Sequence, residues 1–143
     1  MYYMETRIRR FNKEKAKLPV IEINDNYEDM TIANGLTITL SPNYPFHPPL
    51  LKVNDIQYIR YLENEFKKVK PFLIQYKISP YNCCLCCSSI TGDNWSPCYG
   101  IKEVLDEYNK YNEILQLIHK TKLYLNELNM DDLICYTIAQ YLF

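Results

Sequence analysis

The sequence predicts a single α+β domain in which a small antiparallel sheet is flanked by helices. Three observations carry this expectation. Leu36-Thr37-Ile38-Thr39-Leu40 alternates strictly between apolar and polar residues, the mark of a half-buried strand. From Ile101 onward, Val104, Leu105, Tyr108, Tyr111, Leu115 and Ile118 keep helical spacing through sequence free of glycine and proline. The order of elements, helix then strands then helices, with no repeat, low-complexity tract or linker, suits one unit spanning residues 1–143. With 48% hydrophobic and 14% aromatic residues, the chain has ample material for one core.

Residues Glu5 to Lys17 lack glycine and proline, place Ile8 and Phe11 three apart and stop at Leu18-Pro19, so a short amphipathic helix with a basic outer face is expected. Val20-Ile21-Glu22-Ile23 reads as a strand, closed by the turn-forming Asn24-Asp25-Asn26. Ala33-Asn34-Gly35 is a turn signal leading into the alternating strand, which should bury Leu36, Ile38 and Leu40. Pro42, Pro45, Pro48 and Pro49 cannot donate backbone hydrogen bonds, and make the next stretch a stiff loop. Leu50 to Val53 resumes extended structure. Asn54 or Asp55 is then placed to cap a helix carrying Ile59, Leu62, Phe66 and Val69 and ending before Pro71. After the long helix from Ile101, a break over Asn126–Met130 precedes Asp131-Asp132, good N-cap residues for a final apolar helix through Leu142.

Charge excludes some partners. Sixteen Lys and Arg against seventeen Asp and Glu give a formal net charge of -1, so nothing global favours nucleic acid or an anionic membrane. Residues 1–20 differ locally, with Arg7, Arg9, Arg10, Lys13, Lys15 and Lys17 against Glu5 and Glu14, a balance suited to steering an acidic partner. There is no apolar h-region at the start and no apolar run of membrane-spanning length, so a cytoplasmic protein is expected. In such a compartment its six cysteines are expected as thiols or metal ligands and not as a disulfide framework.

Two motifs concentrate the chemistry. Tyr44-Pro45-Phe46-His47-Pro48-Pro49 precedes a cysteine-rich stretch, Cys83-Cys84-Leu85-Cys86-Cys87, and Cys87 stands eight residues before Trp95-Ser96-Pro97, read as a turn into a helix start. Together they resemble the E2 ubiquitin-conjugating enzymes, in which the same motifs flank the catalytic cysteine. The resemblance extends to Arg7-Ile8-Arg9-Arg10-Phe11-Asn12-Lys13-Glu14, like that family's first helix, to Leu36–Leu40, and to Asn129-Met130-Asp131-Asp132-Leu133, similar to the acidic loop before its third helix. It implies a UBC-like fold in which Cys87 receives the C-terminus of ubiquitin, or a ubiquitin-like modifier, from an activating enzyme (E1) and yields it to a lysine directly or through an E3 ligase. It implies no cofactor or metal. By the same resemblance Asp132 or Asp131 would orient the incoming amine, Phe46, Pro97 and Cys98 would form the ligase-docking surface, and Arg9 and Arg10 on the basic first helix would meet the activating enzyme. A free thiol near pKa 8.5 is a few per cent thiolate at neutral pH, enough for transthiolation aimed by docking.

The sequence also departs from that family. Its His-Pro-Asn tripeptide, ten residues before the cysteine, is replaced by Lys77-Ile78-Ser79 and occurs nowhere in the chain; Asn82 and Asn94 are the candidate substitutes. A missing oxyanion donor costs on the order of 10²-fold in rate, so the alternative is an inactive variant that binds ubiquitin or a ligase. The stretch from Val53 to Tyr81 is longer than the family norm and carries an inserted helix ahead of Cys87, a combination that looks like divergent E2-like proteins of large DNA viruses acting in host cytoplasm.

Other readings compete for the cysteines. Cys83-x-x-Cys86 or Cys84-x-x-Cys87 could be half of a zinc site completed by Cys98, Cys135, His47 or His119, but no second Cys-x-x-Cys exists, and on a strand residues three apart face opposite sides. A thioredoxin-like motif should open a helix after a strand, whereas a Trp-containing loop follows here. Cys83, Cys84 and Cys135 are expected as small buried hydrophobes, with Cys86 the fallback nucleophile. His47 and His119 are expected on the surface, and Trp95 as an anchor for the loop after the cysteines.

Overall fold

The structure, a computed structural model, describes residues 2–18, 20–23, 29–32, 35–78, 85–128 and 131–142. Helix α1 (Tyr2–Glu14) runs into a 3-10 turn at Lys15–Lys17 and is followed by strands β1 (Val20–Ile23), β2 (Asp29–Ile32), β3 (Leu36–Thr39), β4 (Leu50–Val53) and β5 (Ile56–Gln57). Helices α2 (Tyr58–Gln75), α3 (Leu85–Ser88), α4 (Ile101–Leu128) and α5 (Asp132–Leu142) complete the chain. The strands form one sheet in the order β1-β2-β3-β4-β5, every neighbouring pair antiparallel, and with the helices they make an α+β fold.

One face of the sheet is the core. Ile38 lies opposite Met30 on β2 and Leu51 on β4, while Leu36 lies opposite Ile32 and Val53; all six are buried. Directly opposed apolar residues on one face are the unit of sheet stabilisation, and the alternation of β3 sets which face that is. Leu40, just beyond β3, is buried too, as its sequence predicts. Strand β2 is an addition to the expected strands, although Met30 and Ile32 in Asp-Met-Thr-Ile carry the alternation that marks it.

The Asn54-Asp55 pair is a hairpin turn, not a helix cap. Both residues have positive φ, 48° and 66°, as tight hairpins between twisted strands require. The turn packs on Gly35, whose φ is +75° and whose Cβ, were there one, would lie on the Asn54 side chain. Helix α2 therefore begins at Tyr58, and Tyr58 rather than Ile59 is its first buried residue.

Helix α2 also continues past Pro71, where the sequence predicted its end. Proline inside a helix costs about 3 kcal/mol, but Phe72, Leu73 and Tyr76 extend the apolar stripe of Leu62, Phe66 and Val69 and are all buried. At about 1.5–3 kcal/mol for each large apolar side chain, their burial outweighs the proline. The helix then closes in a Schellman motif: Lys77 N–H donates to the Ile74 carbonyl (3.2 Å), Ile78 N–H donates to the Leu73 carbonyl (3.0 Å), and Lys77 takes the left-handed φ of 50°.

Helix α4 starts at Ile101 and not at Ser96-Pro97, which lie in a turn closed by Tyr99 N–H on the Ser96 carbonyl (2.9 Å). It runs into the expected break as far as Leu128, Leu125 prolonging the buried row of Ile101, Val104, Leu105, Leu115 and Ile118, and the rest of that break, Asn129 and Met130, lies outside the described residues. Asp131 caps α5, accepting the Leu133 amide at Oδ1 (2.8 Å), and Cys135 and Ala139 turn inward. Leu133 and Tyr141, expected in an apolar helix, are 71% and 90% exposed. No helix among the described residues is long and apolar enough to cross a membrane.

Candidate functional site

Cys87 occupies the third residue of α3, a single helical turn. Its thiol is free and exposed. Cys86, half-buried beside it, is disulfide-bonded, which corrects the expectation of thiols or metal ligands at that position. The Cys87 Sγ lies 3.9 Å from the Cys86 Sγ, and with Cys86 oxidised, Cys87 is the nucleophile the described part of this turn retains. Cys98 is a second exposed thiol, while Cys135 is buried as expected; Cys83 and Cys84 lie outside the described residues.

The loop after Cys87 is tied to the proline-rich loop. Asn94 Nδ2 donates to the Cys87 carbonyl (3.3 Å), and Gly92 N–H and Trp95 N–H close successive turns on Ser89 and Gly92. Trp95 Nε1 donates to the Pro45 carbonyl (2.8 Å), and its ring packs at 6.4 Å from Tyr44 and 5.9 Å from Tyr99. The Tyr44-Pro45 peptide is cis. Trp95 thus anchors the loop, and the two motifs that are 50 residues apart in sequence meet through one indole hydrogen bond.

Phe46, Pro97 and Cys98 are all exposed on these joined loops, Phe46 at 59%. The basic helix is less open than its sequence suggests. Arg9, Lys13, Lys15 and Lys17 face solvent, but Arg7 is buried and Arg10 turns inward, donating through Nε to Glu14 (2.5 Å) and through Nη2 to the Tyr99 carbonyl (3.1 Å). The Glu14 bond holds the Arg10 guanidinium above its ordinary pKa, against a smaller opposing effect of burial. Arg10, Lys13, Lys17 and Lys102 line an open cleft of about 240 Å³ that reaches Cys98.

Glu14 is one of two half-buried acidic nodes that the sequence does not reveal. Its carboxylate also accepts the Tyr44 hydroxyl (2.7 and 2.8 Å) and the Ile101 amide (3.0 Å), joining α1, the proline-rich loop and the first turn of α4. The second is Glu107 on α4, which accepts the Tyr58 hydroxyl, the Ser89 hydroxyl and the Ile90 amide immediately beyond α3. Burial, then the nearby carboxylate, pushes both tyrosine hydroxyls well above their usual range. Partners 30 and 49 residues apart leave no trace in local spacing.

Asp132 opens α5 with its side chain exposed, since Asp131 does the capping. Asn82 lies outside the described residues, and Asn94 spends an amide proton on the Cys87 backbone. His47 is exposed on the proline-rich loop, and His119 sits on the α4 surface 4.0 Å from Glu65. Among the described residues no three His, Cys, Asp or Glu side chains are grouped to hold a metal ion. Compared with known proteins, the chain matches no family model, no curated protein and no solved structure.

Proposed function

We propose that this chain is an E2-like carrier of ubiquitin or a ubiquitin-like modifier, with a UBC-like fold and Cys87 as the thioester-forming residue. The observation that carries the proposal is the junction of an exposed free thiol with a loop locked by Trp95 onto the carbonyl of Pro45 in the proline-rich loop. The meander of four main strands between a basic helix and later helices is compatible with it. The Cys87 thiolate attacks the carbonyl of the modifier joined by a thioester to the activating enzyme, expels that enzyme's thiolate and forms a new S–C bond. A lysine amine, or a ligase cysteine, then attacks the same carbonyl and releases the Cys87 thiolate. Asp132, free of capping duty, is the carboxylate proposed to orient the amine, and Phe46, Pro97 and Cys98 the surface for a ligase. Arg9 and the basic cleft suit an acidic face of the activating enzyme.

The second reading, an inactive variant that binds ubiquitin or a ligase, is favoured by two observations. His-Pro-Asn is absent, and the Asn94 amide is directed at the Cys87 backbone. Incubation with activating enzyme, ubiquitin and ATP separates the two. The carrier reading expects a reductant-sensitive adduct that Cys87→Ala abolishes; no adduct from the wild type, or one that survives Cys87→Ala, overturns it.

A further inference from the structure

We infer that Glu107 is a positioning residue for Cys87, fixing the chain two residues beyond the thiol; the inference deepens the thioester reading and rests on it for its transfer step. Helix α3 has only four residues, too few to hold its own geometry, because a helix of one turn has little beyond its costly nucleus. Cys87 is instead bracketed by two buried residues. Leu85, two residues before it, sits in the core, and Ser89, two residues after it, is 1% exposed.

Glu107 is what holds the second bracket. Its Oε1 accepts the Ile90 amide at 2.9 Å and its Oε2 accepts the Ser89 hydroxyl at 2.8 Å. Because the Ser89 hydroxyl gives its proton to Glu107, its oxygen is left to accept from the Thr91 amide (3.2 Å) and to face the Thr91 hydroxyl (2.8 Å). The Tyr58 hydroxyl, at the first turn of α2, reaches the same Oε2 at 3.0 Å. Both carboxylate oxygens are thereby occupied by donors from two other parts of the chain. The carboxylate is fixed by them and transmits the rigid frame of α4 to the turn that carries the nucleophile. A thiol held this way stays exposed to a partner while its backbone cannot drift, and in a transfer between two large proteins a misplacement of about 1 Å costs roughly 10²-fold.

Side-chain length, not charge, is the requirement. Glutamine keeps an oxygen for the Ile90 amide and offers an amide N–H to the hydroxyl oxygens of Ser89 and Tyr58, which can accept as well as donate. Aspartate keeps the charge but is one methylene too short to reach all three. The test compares Glu107→Gln, Glu107→Asp and Glu107→Ala in the full chain by three readouts: amide hydrogen exchange over residues 88–92, alkylation of Cys87 by iodoacetamide, and adduct formation with activating enzyme, ubiquitin and ATP. For Asp and Ala, exchange should accelerate and adduct formation should slow by about tenfold or more, while alkylation by the small reagent changes by less than about threefold, since it needs no oriented thiol. For Gln, all three should stay within about threefold of wild type. Unaltered exchange in the Asp and Ala variants, or adduct and alkylation rates falling in parallel, overturns the inference. Should Glu107→Ala fail to fold, Ser89→Ala and Tyr58→Phe each remove one donor to Oε2 and leave the Ile90 bond, and must loosen residues 88–92 in the same direction. If the wild type forms no adduct the carrier reading fails separately, and exchange alone decides: loosening with Asp but not with Gln supports the positioning role, and equal behaviour sinks it.

Discussion

Replacing Glu14 by alanine removes one carboxylate and strands three donors. The Tyr44 hydroxyl belongs to a side chain only 1% exposed, so losing its acceptor costs about 1–3 kcal/mol for an unsatisfied buried donor. The Ile101 amide at the start of α4 loses its cap, at about 0.5–2 kcal/mol. Arg10 is 32% exposed and can turn to water, so its pair with Glu14 adds no more than about 1 kcal/mol. Together these predict a loss of about 3–5 kcal/mol, a large fraction of the roughly 5–15 kcal/mol that holds a domain folded. At several degrees per kcal/mol, the melting temperature should drop by about 10 °C or more. Glu14→Gln retains length and acceptor and should cost about 1–2 kcal/mol, chiefly the charge assistance. The assay is equilibrium urea unfolding with slopes compared as well as midpoints. A loss below about 1 kcal/mol for Glu14→Ala, with the slope unchanged, would refute the claim that this carboxylate joins α1, the proline-rich loop and α4.

Three further outcomes follow from the same structure. Burial, reinforced by Tyr108 and Glu65, pushes the Tyr61 hydroxyl up to about 12, and Tyr44 and Tyr58 are raised further, so their contribution is whole below the unfolded value of about 10 and is lost as pH rises above it. Melting temperature should therefore begin to fall near pH 10, with tyrosinate absorbance rising cooperatively on unfolding; a flat melting temperature through pH 12 contradicts this. Pro71→Ala restores a backbone donor inside α2 without touching a buried contact, and should stabilise by about 1–2 kcal/mol, less than proline's full penalty of about 3 because alanine also loosens the unfolded chain. Lys77→Gly relieves a left-handed residue in the Schellman motif and should add about 0.5–1 kcal/mol; a destabilisation would mean the lysine side chain contributes something its backbone strain conceals.

What could be read from the sequence was what repeats locally. The alternation of Leu36, Ile38 and Leu40 and the spacing from Ile101 to Ile118 both reappear as buried faces. So does the use of Trp95 as an anchor. Elements set by competition between local and distant forces were harder. Pro71 signals an end to α2, yet the burial of Phe72, Leu73 and Tyr76 carries the helix through it. Asn54-Asp55 suits a helix cap or a hairpin, and only the pairing of β4 with β5 decides between them. The acidic nodes at Glu14 and Glu107 were invisible because their partners lie on other elements. In the candidate site, Cys87 was named from its distance to Trp95, whereas the loss of Cys86 to a disulfide and the release of Asp132 by the capping Asp131 needed coordinates.

The most direct test of the central claim is the chemistry of the bond at position 87. With activating enzyme, ubiquitin and ATP, the wild type should form an adduct that a thiol reductant cleaves. Cys87→Ser, which offers a hydroxyl in the same place, should convert it to one that resists reductant and yields to hydroxide, as an oxyester must. A reductant-sensitive adduct formed by Cys87→Ser at the wild-type level would place the thioester on another cysteine and contradict the account.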